Sequence, residues 1–345
     1  MKRKDIKALI LTVCALLILS CGNRKNELHI FNWADYMNPE VIEKFEKEYN
    51  CKVVMNYFDS NEALYAKVKA GASGYDVMFP SGYMAKIMYE QKLIRELDLN
   101  KLKNLKNIDM GYVKKGLDPE MKYSVPYMLT YAGIAYNTKR VPDFKPSWSM
   151  FERKDLAGRM TLLNDLRETI GAALKYHGYS YNTTDEKELE KARDTVIKWK
   201  RNIAKFDVDE AKRGLSSGEF ILIHTYNGDA LQLIEENSDL AFAIPAEGTS
   251  ISGDDMVIPL SAKNPELAYK FINFMLEAEV AKANMEFVYY LSPNIEAQKL
   301  MDSDFMSDPA INPPKRVIER SDVLADLGEN NQKYSKIWDQ IKSAK

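Results

Sequence analysis

The 345-residue chain has only three cysteines and three histidines, too few for a disulfide scaffold or a zinc framework. His29, His177 and His224 are scattered, without a second ligand at metal-site spacing. Two of them sit in or beside expected strands, where a hydrogen-bonded packing histidine is the ordinary role. Cys51 is not part of a C-x-x-C motif, and glycine-rich phosphate loops, a G-x-S-x-G elbow and H-E-x-x-H are all missing. No cofactor and no metal are therefore expected, although a pair of carboxylates working as acid and base stays open. Charge of one sign is lacking too. With 48 basic and 50 acidic side chains, the net of −2 offers no field for nucleic acid. The composition, 46% hydrophobic and 28% charged, excludes a disordered, collagen-like or multi-span membrane chain. The length points to about two domains, each large enough to bury a core.

The first residues stand apart from the rest. Lys2, Arg3, Lys4 and Lys7 form a basic head, and Ala8 to Leu19 runs twelve residues without a charge. That is short of the roughly 20 helical residues a bilayer core requires, and the pattern is that of a secretory signal peptide. Ile18-Leu19-Ser20-Cys21 resembles a bacterial lipobox, so residues 1–20 are expected to be removed and Cys21 lipidated. Residues 21–26 would then be the lipidated end and its polar tether. Four basic groups and one acidic group leave with the peptide, so the exported chain carries 44 basic and 49 acidic residues, a net of −5. Cys14 leaves as well. An intrachain disulfide is thus excluded, and Cys51, at the start of an expected strand, reads as a buried structural thiol.

The remainder alternates between strand and helix patterns. Leu28–Trp33, Lys52–Phe58 and Asp76–Phe79 read as strands. Between them, Asn38-Pro39 opens a helix with Val41, Ile42, Phe45 and Tyr49 on one face, and Ser60 or Asn61 caps a second. This β-α-β-α-β order implies a mostly parallel sheet covered by helices. Further strands are expected at Ile134–Asn137, Met160–Asn164, Phe220–His224, Leu240–Pro245 and Met256–Pro259. Helices are expected from about Asp185, around Leu267 to Met275, and around Tyr334 to Ile341.

Acidic and aromatic residues recur together where strands give way to helices. The clusters are Trp33-Ala34-Asp35-Tyr36, Ser81-Gly82-Tyr83, Asp165-Leu166-Arg167-Glu168, Tyr226-Asn227-Gly228-Asp229 and Ser252-Gly253-Asp254-Asp255, the last read as a turn before the Met256 strand. Each alone is ordinary, since Asp, Ser and Asn cap helices and aromatics pack at strand ends. Four of the five fall at carboxyl ends of strands, where open α/β sheets bind ligands. Together they describe a cleft of carboxylates and aromatic faces, suited to an elongated organic cation.

These segments, with Ser60 to Lys67, Tyr75 to Ser81, Tyr123 to Tyr127 and Tyr290-Leu291-Ser292-Pro293-Asn294 in this order, resemble the spermidine/putrescine-binding (PotD-type) proteins of polyamine ABC importers. The resemblance implies an α/β type II periplasmic-binding-protein fold, with two α/β lobes joined by hinge strands around a ligand cleft. It implies binding without catalysis. Trp33 and Tyr36 would supply an aromatic wall and a phenol, Asp35 would replace the usual glutamate, and Ser81 and Tyr83 would match a Ser-x-Tyr turn. Asp165 and Glu168 would hold the internal and one terminal amine, Asp254 would help hold a terminal amine, and Tyr226 and Tyr290 would be aromatic faces. Ser252 stands where the pattern has tryptophan and Leu324 where it has glutamine, which leaves the choice between spermidine and putrescine open.

The expected lobes comprise residues 27–131 with 253–297, and 135–249 with 302–345. Hinges would lie near Tyr131 to Ile134 and Gly248 to Ser252. The expected partners are a polyamine, an ABC permease with its ATPase, and the membrane through the lipid at Cys21; a monomer on the outer side of that membrane is expected. Asp165 and Glu168, close to a helix N-terminus, would be kept anionic by the helix dipole. Two rivals are a type II binding protein for a sugar or amino acid, and a surface hydrolase using the Asp165–Glu168 pair.

Overall fold

The computed structural model describes residues 26–114 and 116–344; the expected signal peptide, Cys21 and most of the expected tether lie outside them. The chain opens with β1 (Asn26–Trp33), α1 (Pro39–Tyr49), β2 (Cys51–Phe58), α2 (Asn61–Lys69), β3 (Val77–Met78) and α3 (Gly82–Glu90). Local chemistry sets these boundaries. Asn38 caps α1 by accepting from the Glu40 amide, Pro39 occupies its first turn, and Asn50 ends it in the left-handed region. Ser60 caps α2 through the Ala63 amide. The three strands pair in parallel in the order β2-β1-β3, with Asn26 opposite Cys51 and Trp33 opposite Phe58. Val41 and Phe45 of α1 are buried, in one core with Leu28, Ile30, Phe271 and Phe274.

The chain leaves this unit along β4 (Val125–Asn137), thirteen residues long where only the last four were expected as strand. Its first half pairs antiparallel with β9 (Ser250–Met256), ending at Tyr131 opposite Ile251. From Ala132 onward it pairs with β7 (Leu222–Tyr226) and then β8 (Leu240–Ala243). β5 (Met160–Leu162) lies parallel to both β6 (Ile203–Phe206) and β7, and β10 (Asp322–Val323) runs parallel to β9. Around this second sheet pack α4 (Leu166–Tyr176), α5 (Glu186–Lys200), α6 (Asp209–Ser217), α7 (Asn227–Glu236) and the C-terminal α10 (Asn331–Ser343). α8 (Pro265–Met275) and α9 (Ala278–Val288) return to the first unit. Trp148, Trp199, Leu222, Tyr334 and Ile341 centre the second core. The result is two α/β lobes spanned by β4. Among the described residues, no helix is long and apolar enough to cross a membrane.

Two local expectations need correcting. The stretch Ser252–Asp255 is not a turn but lies inside β9, and its side chains alternate between faces. His224 packs edge-on against Trp148 but is not hydrogen-bonded: neither ring nitrogen has a partner, and burial pushes its pKa down to about 3.

Candidate functional site

The carboxyl ends of β1, β3, β5 and β7 converge on a cleft of about 740 Å³, counting its open mouth. Nine of the ten residues expected at the site line it: Trp33, Tyr36, Ser81, Tyr83, Asp165, Glu168, Tyr226, Asp254 and Tyr290. Asp35 does not. Its left-handed backbone (φ 53°) turns its side chain toward solvent, where one oxygen lies 3.2 Å from Lys212 Nζ.

Asp254 is reached from two elements. Tyr36 Oη and Ser81 Oγ each donate to it at 2.7 Å. Ser81 occupies the N-cap of α3 yet makes no side-chain capping bond, because its hydroxyl is turned to Asp254. Asn61 holds Ser81 in place, accepting from its amide at 3.0 Å and donating to its hydroxyl at 3.1 Å. Burial pushes the Asp254 carboxyl up to about 6, even though both hydroxyls favour its ionised form. The period-2 alternation of β9 puts Ser250 and Ser252 on the same side as Asp254. Ser252 lines the cleft, and Ser250 Oγ donates to Glu168 at 2.7 Å.

On the facing wall, Asp165 is the N-cap of α4 and accepts from the Arg167 and Glu168 amides at 2.8 and 3.0 Å. The amides of the helix N-terminus favour ionised Asp165 as expected, but they do not decide the pair. Burial dominates and raises both, and Asp165 beside Glu168 helps bring it to about 8. Glu62 is raised to about 7 by burial and by Asp165. Arg167 lies behind this wall rather than in the cleft. Its guanidinium sits over the rings of Tyr83 (5.4 Å) and Tyr334 (5.0 Å) and donates to Asn182 and to the Ala325 carbonyl.

Aromatic faces fill the space between the acids. Tyr36 stands edge-on to Tyr290 and Tyr127, with centroids at 5.3 and 5.4 Å. Trp33 is fixed by donating its indole N–H to the Phe79 carbonyl at 2.9 Å and by packing on Phe58. Tyr290 approaches α7 closely because Gly228 has no side chain: a Cβ there would lie 2.4 Å from its ring and 2.2 Å from the Val288 carbonyl.

Sequence reasoning missed several contributors. Asp59, Asn61, Thr130, Asp209, Lys212 and Asp229 also line the cleft, as does the apolar Leu324. Asp229 lay within a recognised cluster. Lys212 gave no signal, because Asp209-Glu210-Ala211-Lys212-Arg213 reads as a solvated helix face. Among the described lining residues, six acids face this one cation.

Comparison with known proteins agrees with this architecture. Residues 40–313 match the profile of the bacterial extracellular solute-binding proteins. The spermidine/putrescine-binding periplasmic protein of Escherichia coli is 34% identical over 322 residues, 93% of this chain and 92% of that one. The TpPotD lipoprotein of Treponema pallidum superposes with a TM-score of 0.81 at 35% identity, covering 92% of this chain and 99% of its own. The spermidine/putrescine ABC transporter substrate-binding protein PotD of Streptococcus pneumoniae gives 0.77 at 34%, over 92% and 98%. With two α/β lobes around an acidic, aromatic cleft and a profile match over most of its length, the chain belongs to the bacterial extracellular solute-binding proteins, with a type II periplasmic-binding fold.

Proposed function

We propose that this protein captures a polyamine in the interlobe cleft and delivers it to an ABC permease and its ATPase. One observation carries the reading. Asp165, Glu168 and Asp254 are buried together on opposing walls, all with raised pKa values, and among the described residues none has a salt-bridge partner. Such a trio is strained by desolvation and is relieved by an organic ammonium that re-solvates the carboxylates. Asp165 and Glu168 would take an internal and a terminal amine and Asp254 would help hold a terminal amine, with Tyr36 and Ser81 holding Asp254 in place. Trp33, Tyr83, Tyr226 and Tyr290 would cover the methylenes and attract charge. A neutral sugar can donate hydroxyls to carboxylates but would leave their charge uncompensated. The similarity to polyamine-binding relatives supports the same choice.

In this reading, residues 27–131 with 253–297 and 135–249 with 302–345 move as two lobes. The hinges lie where β4 exchanges β9 for β7, near Tyr131 to Ile134, and in the strand opposite at Gly248 to Ser252. The cation draws the lobes together by bridging their acids. The protein acts as a monomer outside the cytoplasmic membrane, tethered through lipid on Cys21. Calorimetric titration with putrescine and spermidine at low and high salt tests the ligand class. Binding that weakens as salt rises is expected, and failure to bind either amine would refute it.

A further inference from the structure

The cleft already contains one primary ammonium. Lys212, on α6, has a side chain only 10% exposed, and its Nζ lies 3.2 Å from Asp35, 3.4 Å from Asp229 and 3.8 Å from Asp209. Of the three donors of the ammonium, two reach Asp35 and Asp229 as hydrogen bonds, while Asp209 lies in charge contact. Burial alone would lower the Lys212 pKa, but Asp229, Asp35 and Asp209 together raise it to about 12, so the cation persists at every physiological pH. The three acids come from both sides of the cleft: Asp35 follows β1 in the first lobe, while Asp209 and Asp229 open α6 and α7 in the second.

This cluster adjoins the binding acids. The Asp229 amide donates to Tyr290 Oη at 3.4 Å, Tyr290 stands against Tyr36, and Tyr36 donates to Asp254. Two sets of carboxylates, one in the cleft and one at its rim, are therefore separated by one pair of tyrosines. Asp165, Glu168 and Asp254 have no ion pair in direct contact, Arg167 acting on the first two only from behind the wall, whereas Asp35, Asp209 and Asp229 share Lys212. A lysine side chain is four methylenes ending in an ammonium, the same group as the aminobutyl arm of a polyamine.

Resting on the polyamine reading above, we infer that Lys212 occupies the position a third amine would take, closing one end of the slot so that the cleft selects a diamine over a triamine. Two amine positions remain, an internal and a terminal one, at the carboxylates of Asp165, Glu168 and Asp254. The third ammonium of a triamine meets a fixed like charge whose counter-ions are already engaged.

The test is titration calorimetry of the exported chain with putrescine and spermidine, first as wild type. Putrescine should bind at least tenfold more tightly than spermidine. Lys212→Met bares the acids and should raise the spermidine-to-putrescine affinity ratio at least tenfold. Adding Asp229→Asn to Lys212→Met removes the buried counter-charge and should return the ratio toward wild type. Wild-type spermidine affinity equal to or above that for putrescine overturns the inference without need of a variant. So does an unmoved ratio in Lys212→Met, or a gain that persists in the double variant, while wild type still binds polyamines. Wild type binding neither amine overturns the polyamine reading itself and this inference with it.

Discussion

Polyamine affinity should fall steeply on mild acidification, because the cleft must give up a proton to accept a cation. Burial and Asp165 hold Glu168 up at about 8, and burial holds Asp254 at about 6. At pH 7 the ligand-free protein therefore retains roughly one proton on the Asp165–Glu168 pair. An incoming ammonium requires that pair ionised, so the proton must leave. Well below the ligand-free pKa each pH unit then costs about 1.4 kcal/mol, so the association constant should drop about fivefold from pH 8 to 7 and about tenfold from 7 to 6. Asp254 adds to the loss only below about 6. The ligand contributes nothing to this slope, since its amines titrate near 10. Calorimetry at pH 6, 7 and 8, in buffers of differing ionisation enthalpy, reads both the affinity and the proton. About one proton should be released at pH 7. Affinity that stays flat or rises on acidification, or heats independent of the buffer, would refute the reasoning. Glu168→Gln should bind more weakly at pH 8 by ~1.5–3 kcal/mol and lose most of the pH dependence.

Asp254→Asn keeps the shape but removes the charge and replaces one of the two oxygens that accept from Tyr36 and Ser81 with an amide donor; it should weaken polyamine binding by ~1.5–3 kcal/mol in the same calorimeter, and unchanged affinity would contradict the site. The ligand-free protein should gain stability as pH falls from 8 to 6.5. Its raised carboxyls then hold protons that the unfolded chain, titrating near ordinary values, does not, which for Glu168 is worth about 2 kcal/mol. Below about 6.5 the gain should flatten, because His224, held neutral down to about 3, binds its proton only when unfolded and so offsets one of the protons the buried carboxyls hold. Denaturant melts across this range check both limbs, and a monotonic rise of stability up to pH 8 would count against the buried acids. Gly228→Ala forces a methyl into the Tyr290 ring and the Val288 carbonyl. It should cost about 1–3 kcal/mol of stability and displace one aromatic wall, with chemical denaturation and polyamine titration as the readouts.

The parts of the fold that sequence discloses are those set by neighbours in the chain. Asn38-Pro39, Ser60, Asp165 and Asp185 mark helix starts because capping is satisfied within three residues. Four of the five acid-aromatic clusters were legible because each follows a strand. β9 was not, because Ser-Gly-Asp-Asp has the composition of a turn. Its polar residues are tolerated in a strand since one face meets the cleft and the other meets Ser124 and Tyr112. β4 looked like a short strand because Pro126 and Gly133 punctuate it. Gly133 is instead demanded by the Phe242 ring, 2.4 Å from where a Cβ would sit. The pairing of Asp35 with Lys212 spans 177 residues and leaves no local trace. The raised pKa values are likewise invisible, because they arise from burial that only the assembled lobes produce.

The central claim is that the cleft recognises a flexible organic polycation. A thermal-shift panel at pH 8 with putrescine, spermidine, spermine, amino acids and sugars tests it most directly. The account predicts that at least one polyamine stabilises the protein, by about 2.7 kcal/mol at a hundredfold excess over Kd, while sugars and amino acids leave the melting temperature in place. Stabilisation by a sugar or an amino acid, with every polyamine silent, would contradict it.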